Sequence, residues 1–289
     1  MNHNKIIKIP DIDELSERYS IFTPLGLRFW DPVLNVQVSD HLCVRAWLDK
    51  TNYPVINGFR TASGNYAFQG LPGLHNIEYP YKQSPQLPKK FIVEVKDQMD
   101  RFIPAVFSVE LPLSYKGLYL SEKLMSFPGF YLISSPLRTT QPGLASVRGQ
   151  LICESTGLPA SYALAEVEIE NRKWYGIADK RGSIAVIFPY PEFKNLNNNP
   201  DPQDKIENPF SLQKWQMNVS IRFSPKSLVF PQGSNIPLLQ TIVEQEAGKI
   251  WETKTQLVEK LSNNITFDHE FILKTIGEKL SVLKIDKAA

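Results

Sequence analysis

The amino-acid sequence predicts a mostly-β fold: two tandem antiparallel β-sandwich domains of Greek-key type, with an N-terminal arm and a C-terminal helix plus β-hairpin. Three observations predict it. Short apolar segments alternate with a period of two residues, as strands with one dry and one wet face require. Turn residues separate these segments at fairly regular spacing. Prolines outnumber glycines, 22 to 15, which suits many short strands better than long helices.

The chain has 289 residues, 42% of them hydrophobic and 21% charged, enough for about two ordinary cores. The expected division is an arm over 1–23, a first sandwich over 24–140, a second over 141–234 and a C-terminal segment over 235–289.

Element by element, Leu27–Trp30 opens the first sandwich. Asp31-Pro32-Val33-Leu34-Asn35 is turn chemistry, because proline fixes φ directly after the aspartate. Val36–Val38 and Leu42–Leu48 follow as strands. Ser63-Gly64-Asn65 turns into the alternating Tyr66-Ala67-Phe68. Phe91–Val95, an apolar stretch from Phe102 to Leu113 broken by Pro104 and Pro112, and Phe130–Ile133 complete the first set. In the second set, Ser146–Cys153, Ala165–Glu170, Trp174–Ala178, Ser183–Phe188 and Trp215–Phe223 read as strands. The turns Glu154–Pro159 and Asp179–Gly182 lie between them. Ser63–Phe68 aligns with Arg181–Val186, which suggests an internal repeat.

Pro191–Pro209 is polar and proline-broken and reads as a long loop, either solvated or ordered by a partner. Beyond residue 235, Leu239, Ile242, Val243, Ala247, Ile250 and Trp251 recur at steps of three and four, which predicts a helix with one apolar stripe. Phe271–Ile276 and Leu280–Ile285 flank Gly277 and read as a closing hairpin.

The net charge of +2 is too balanced for a nucleic-acid footprint. The first residues show no apolar signal-peptide core, and no stretch approaches the roughly 20 apolar residues of a membrane helix. A cytoplasmic protein is expected, with no membrane insertion of its own. The two cysteines, Cys43 and Cys153, read as buried thiols, with no metal-ligand spacing around them.

Few residues in the sequence suggest chemistry. The histidines are His3, His41, His75 and His269, none with a second histidine three or four residues away. Asp268-His269-Glu270 is a local charge cluster on a turn. There is no nucleophile elbow, phosphate loop or dinucleotide fingerprint. Catalytic, cofactor-binding and metal sites are therefore all expected to be none, as are cofactors and small-molecule substrates. The five tryptophans sit mostly at alternating apolar positions and read as core.

Ser63–Leu71, Val147–Leu151, Thr156-Gly157-Leu158-Pro159 and Ile177–Gly182 resemble the carboxypeptidase-regulatory-like (transthyretin-like) β-sandwiches. In those folds a Thr-Gly-x-Pro turn and an Asp-x-x-Gly turn recur. Asn35–Val38 departs from that pattern in the first domain. A narrower resemblance covers Ser63–Leu74, Phe91–Asp97, Arg101–Pro104, Ser135–Arg138, Gly143–Gly149 and Leu273–Gly277. These segments are similar to proteins encoded with phage-tail-like contractile injection systems. That resemblance implies a structural or adaptor component at the baseplate or tail end, with other protein subunits of a large assembly as partners. The arm 1–23, the segment 235–289 and open sheet edges are the expected contact elements. A carbohydrate- or surface-binding sandwich is the alternative, and it requires exposed coplanar tryptophans. An enzyme would instead gather strongly perturbed titratable groups in a pocket.

Overall fold

The computed structural model describes residues 22–50, 54–78, 87–111, 129–193 and 213–287. Most of the arm and the loop beyond residue 193 lie outside these. The described chain is mostly β, as expected.

The first sandwich contains β1 (Leu25–Leu27), β2 (Phe29–Asp31), β3 (Val36–Val38), β4 (Leu42–Leu48), β5 (Ile56–Asn57), β6 (Phe59–Arg60), β7 (Tyr66–Phe68), helix α1 (His75–Glu78), β8 (Lys89–Asp97), β9 (Ala105–Leu111) and β10 (Phe130–Tyr131). One layer is the sheet β5-β4-β8-β9. The other is made of two short sheets, β1-β7-β6 and β10-β2-β3. Between the layers, alternation drives Phe29, Tyr66, Phe68, Phe91, Phe107 and Phe130 inward. Phe107 stacks on Phe130 at 4.3 Å, and Phe29 meets Phe130 edge-on at 5.8 Å.

The second sandwich contains β11 (Leu144–Cys153), β12 (Leu164–Ile169), β13 (Arg172–Ile177), β14 (Ser183–Pro189), β15 (Lys214–Arg222), helix α2 (Leu239–Val243), β16 (Lys249–Trp251), β17 (Leu257–Val258), β18 (Leu261–Thr266), β19 (Phe271–Leu273) and β20 (Leu283–Asp286). The sheet β13-β12-β15-β18 faces β14-β11-β20-β16-β17, with β19 also beside β11. Trp215, Met217, Val219 and Ile221 on β15 point into this core, as do Val147 and Leu151 on β11.

The suggested repeat is a shared turn. In the first copy Thr61 N–H donates to Asn65 O (2.8 Å) and Gly64 N–H to Thr61 O (3.0 Å). In the second, Asp179 N–H donates to Ser183 O (2.8 Å) and Gly182 N–H to Asp179 O (3.0 Å). The first side chain of each turn also accepts from the fifth residue: Thr61 Oγ1 from Asn65 N–H and Asp179 Oδ1 from Ser183 N–H. Both glycines sit at positive φ, 77° and 81°, where a side chain would be strained.

Four expectations need correction. The helical stripe ends at Val243: Ala247 bridges to Arg222, and Ile250 and Trp251 are strand residues. Phe271–Ile276 and Leu280–Ile285 do not form a hairpin. β19 and β20 each add in parallel to β11, one after the other along the same edge of a ten-residue strand that is long enough to hold both. Not every pairing is antiparallel, since β10 also runs parallel to β2. Finally, 235–287 does not stand apart from the sandwich cores. Ile250, Leu261, Ile265, Leu273, Leu283 and Ile285 are buried in the second one.

The two sandwiches interlock. Residues 224–245 leave the end of β15 as a strap and return beside it. Phe223 N–H donates to Glu246 O, Gly248 N–H to Ile221 O, and buried Gln245 closes the neck by donating to Tyr162 O (2.8 Å). The strap lies on the first sandwich. Trp47 Nε1 donates to Gln232 O (2.9 Å), Ser234 Oγ to Glu94 (3.2 Å), and Leu238 bridges to Val106. Ile236, Leu238, Leu239 and Ile242 join the first core, together with Tyr162, Leu164, Tyr175 and Ile177 of the second sandwich. In the other direction, Val33 from the β2–β3 turn packs on Ala185 and Ile187 of β14.

Candidate functional site

The linker between the sandwiches is held from both sides by arginines. Arg138, on the linker, makes a bidentate pair with Asp31 at the end of β2, at 2.6 and 3.2 Å. Both side chains are less than 10% exposed. Asp31 also accepts from the Val33 amide (2.9 Å), which is the turn expected from Asp31-Pro32. Phe102 lies under the Arg138 guanidinium at 5.0 Å. From the other side, Arg148 on β11 donates to the carbonyls of Pro136 and Arg138 and to Thr140 Oγ1, and pairs with Glu270. Ser146 Oγ donates to the same carboxylate (3.0 Å).

Beside this clamp lies a cleft of about 630 Å³. Its walls are the linker residues Thr139, Thr140 and Gln141 and the turn Asp268-His269-Glu270, with Tyr190 beside them. The charge cluster singled out in the sequence therefore lines a concave surface. Asp268 sits at φ 59°, and its amide donates to Tyr190 Oη (2.9 Å). His269 Nδ1 is 2.8 Å from Phe267 O. A carbonyl can only accept, so Nδ1 carries the proton and Nε2 presents a lone pair when the ring is neutral. Burial pushes the Tyr190 phenol up, and the Asp268 amide opposes this by donating to it.

The other histidines are dispersed. His41 lies 3.7 Å from Asp40, His75 lies 3.9 Å from Glu78, and His3 is outside the described residues. Among the described residues, no three His, Cys, Asp or Glu side chains gather as a metal site. The cysteines are unpaired. Cys153 is buried as expected, but Cys43 is exposed because the alternation of β4 turns it outward between buried Leu42 and Val44.

The sheet edges differ in availability. β9 is an edge strand, but the strap bridges to it at Val106. β18 is the edge beyond β15. Phe267 N–H donates to Gln213 O (3.1 Å), which sets the phase of the ladder. Residues 261, 263 and 265 then face β15, and 262, 264 and 266 turn their backbone groups outward. The Asn263 side chain covers the Asn264 amide (3.1 Å), while Thr266 O accepts from Tyr190 Oη (3.4 Å). The Ser262 N–H and C=O and the Asn264 C=O have no partner among the described residues. The sequence marks neither the residues of these edges nor those of the cleft. Edge phase depends on pairing, and the cleft walls, such as Thr139 and Glu270, lie 131 positions apart in the chain.

Tryptophan placement bears on sugar binding. Trp47, Trp174 and Trp215 are buried. Trp30 and Trp251 are half-buried, each with its indole N–H bound locally, to Asn35 and Asp286.

No helix among the described residues is long and apolar enough to cross a membrane. No family model and no curated protein sequence matches the chain. Solved structures that align with it include two proposed adhesins from Bacteroides ovatus. One is 10% identical over 85% of this chain and 96% of its own length, with a TM-score of 0.20. The other is 7% identical over 68% of this chain and 77% of its own, with a TM-score of 0.17. Likeness at that level carries no argument about what this chain does.

Proposed function

We propose that this chain is a structural or adaptor subunit of a phage-tail-like contractile injection system, docked by protein–protein contact at the baseplate or tail end, and not an enzyme. The sequence resemblance supplies the assembly. The observation that carries the docking reading is the interlock of the two sandwiches. Strap, linker clamp and Val33 together join the two sandwiches into one body, with the buried Arg138–Asp31 pair and the Arg148–Glu270 pair on the linker between them. A body of this kind offers surface in a fixed orientation, which is what a subunit of a large assembly needs.

The β18 edge fits the mode of contact, because an extended partner segment gains backbone hydrogen bonds at Ser262 and Asn264. The arm 1–23 remains a second proposed contact element. Stable docking buries on the order of 1,200–2,000 Å² in total, more than one edge strand provides, so several contacts act together. The carbohydrate-binding alternative is less favoured, since three of the five tryptophans are core residues and the other two are held locally.

The test is affinity purification of the tagged full chain from the cell that encodes it, followed by mass spectrometry. Sheath, tube and spike proteins are expected to co-purify. Recovery of the chain alone, or with proteins unrelated to a tail-like particle, overturns the proposal.

A further inference from the structure

We propose that the cleft between the linker and the Asp268–Glu270 turn receives an arginine side chain of a partner subunit. This rests on the docking reading and names a contact within it.

Charge and hydrogen-bonding capacity favour a cation in the cleft. Both arginines at the cleft are already neutralised, Arg138 by Asp31 and Arg148 by Glu270. Asp268 carries the remaining formal charge: it is exposed, and its carboxylate has no cationic partner among the described residues. The other unused groups are mostly acceptors. His269 Nε2 offers a lone pair because Nδ1 is committed to Phe267 O. Thr139 and Thr140 on the opposite wall have backbone carbonyls with no hydrogen-bond partner among the described residues. A cleft with one uncompensated carboxylate and spare acceptors on two walls suits a cation that donates in several directions.

Arginine fits better than lysine on two counts. Its planar fork carries five donors where an ammonium has three on one point. Its flat face also packs on aromatic rings, and Tyr190 forms part of the wall. The volume of about 630 Å³ falls within the roughly 300–1,000 Å³ usual for small-ligand clefts, so the guanidinium can enter with its stem and flanking backbone.

The experiment is an NMR titration of the 15N-labelled full chain with N-acetyl-argininamide. The neutral isostere N-acetyl-citrullinamide and the Asp268→Asn variant serve as controls. Asparagine tolerates the left-handed conformation at 268, so the variant keeps the turn. Saturable shifts are expected at the amides of residues 139–141 and 268–270. Binding should weaken on the order of tenfold in Asp268→Asn, the worth of one charge-assisted hydrogen bond. No saturable shift, equal response to citrulline, or undiminished binding by Asp268→Asn each overturns the proposal. Failure here leaves docking by other surfaces standing. Failure of the co-purification leaves the titration readable.

Discussion

Replacing Arg138 with methionine tests the linker clamp most sharply. The methionine keeps an apolar stem over Phe102 and removes only the guanidinium. Asp31, with its side chain 4% exposed, then keeps two amide donors, from Val33 (2.9 Å) and Leu34 (3.4 Å), and loses both strong donors at 2.6 and 3.2 Å. Removing one partner of a buried ion pair costs about 3–5 kcal/mol, because the other charge stays buried without compensation. At about 2 °C per kcal/mol for a chain of this size, the melting temperature falls by about 6–10 °C. The readout is thermal and urea unfolding of the parent, Arg138→Met, Asp31→Asn and the double variant. The double variant should lose about 1–3 kcal/mol less than the sum of the two single losses. If Arg138→Met stays within about 1 kcal/mol of the parent, the pair does not hold the linker and the reasoning fails.

Other outcomes follow from the same geometry. Gly182→Ala should destabilise far more than Gly70→Ala: both sit at positive φ, but an added Cβ runs into Leu151 O in the first and meets nothing within 4 Å in the second. Urea midpoints of the two variants compare them directly. Trp215→Ala should cost about 3–5 kcal/mol in urea unfolding, as an emptied core site does. Burial, assisted by Glu166, pushes the Tyr175 phenol up to about 12, above the ordinary value near 10. The folded protein holds that proton longer than the unfolded chain does, so stability is intact below about pH 10 and declines as pH rises toward 12. Tyr175→Phe should flatten that decline in alkaline unfolding curves. Of the two thiols, Cys43 should react with a disulfide reagent well before Cys153, followed by absorbance.

Local signals carried much of the strand pattern. Val36–Val38, Leu42–Leu48 and Tyr66–Phe68 form where alternation and turn residues indicate, and the two glycine turns share one hydrogen-bond pattern. What the sequence concealed depends on tertiary contact. Leu239, Ile242, Ile250 and Trp251 share a helical spacing by coincidence: the first two belong to a strap packed on the first core, and the last two to a strand of the second sandwich. β18 reads poorly because Leu261 and Ile265 are separated by Ser262-Asn263-Asn264, polar residues that suit an exposed edge. The charge cluster around His269 is visible as a turn, whereas the cleft it lines also needs the linker, which Arg148 contacts across a distance in the chain that spacing does not encode.

The claim that everything else depends on is that the sandwiches move as one. 15N relaxation across the full chain measures it: amides of β4 and β8 and amides of β12 and β15 should report the same rotational correlation time, that of a single 32.9 kDa particle. Two distinct and shorter times would mean that strap and clamp do not bind the halves together, contradicting the account.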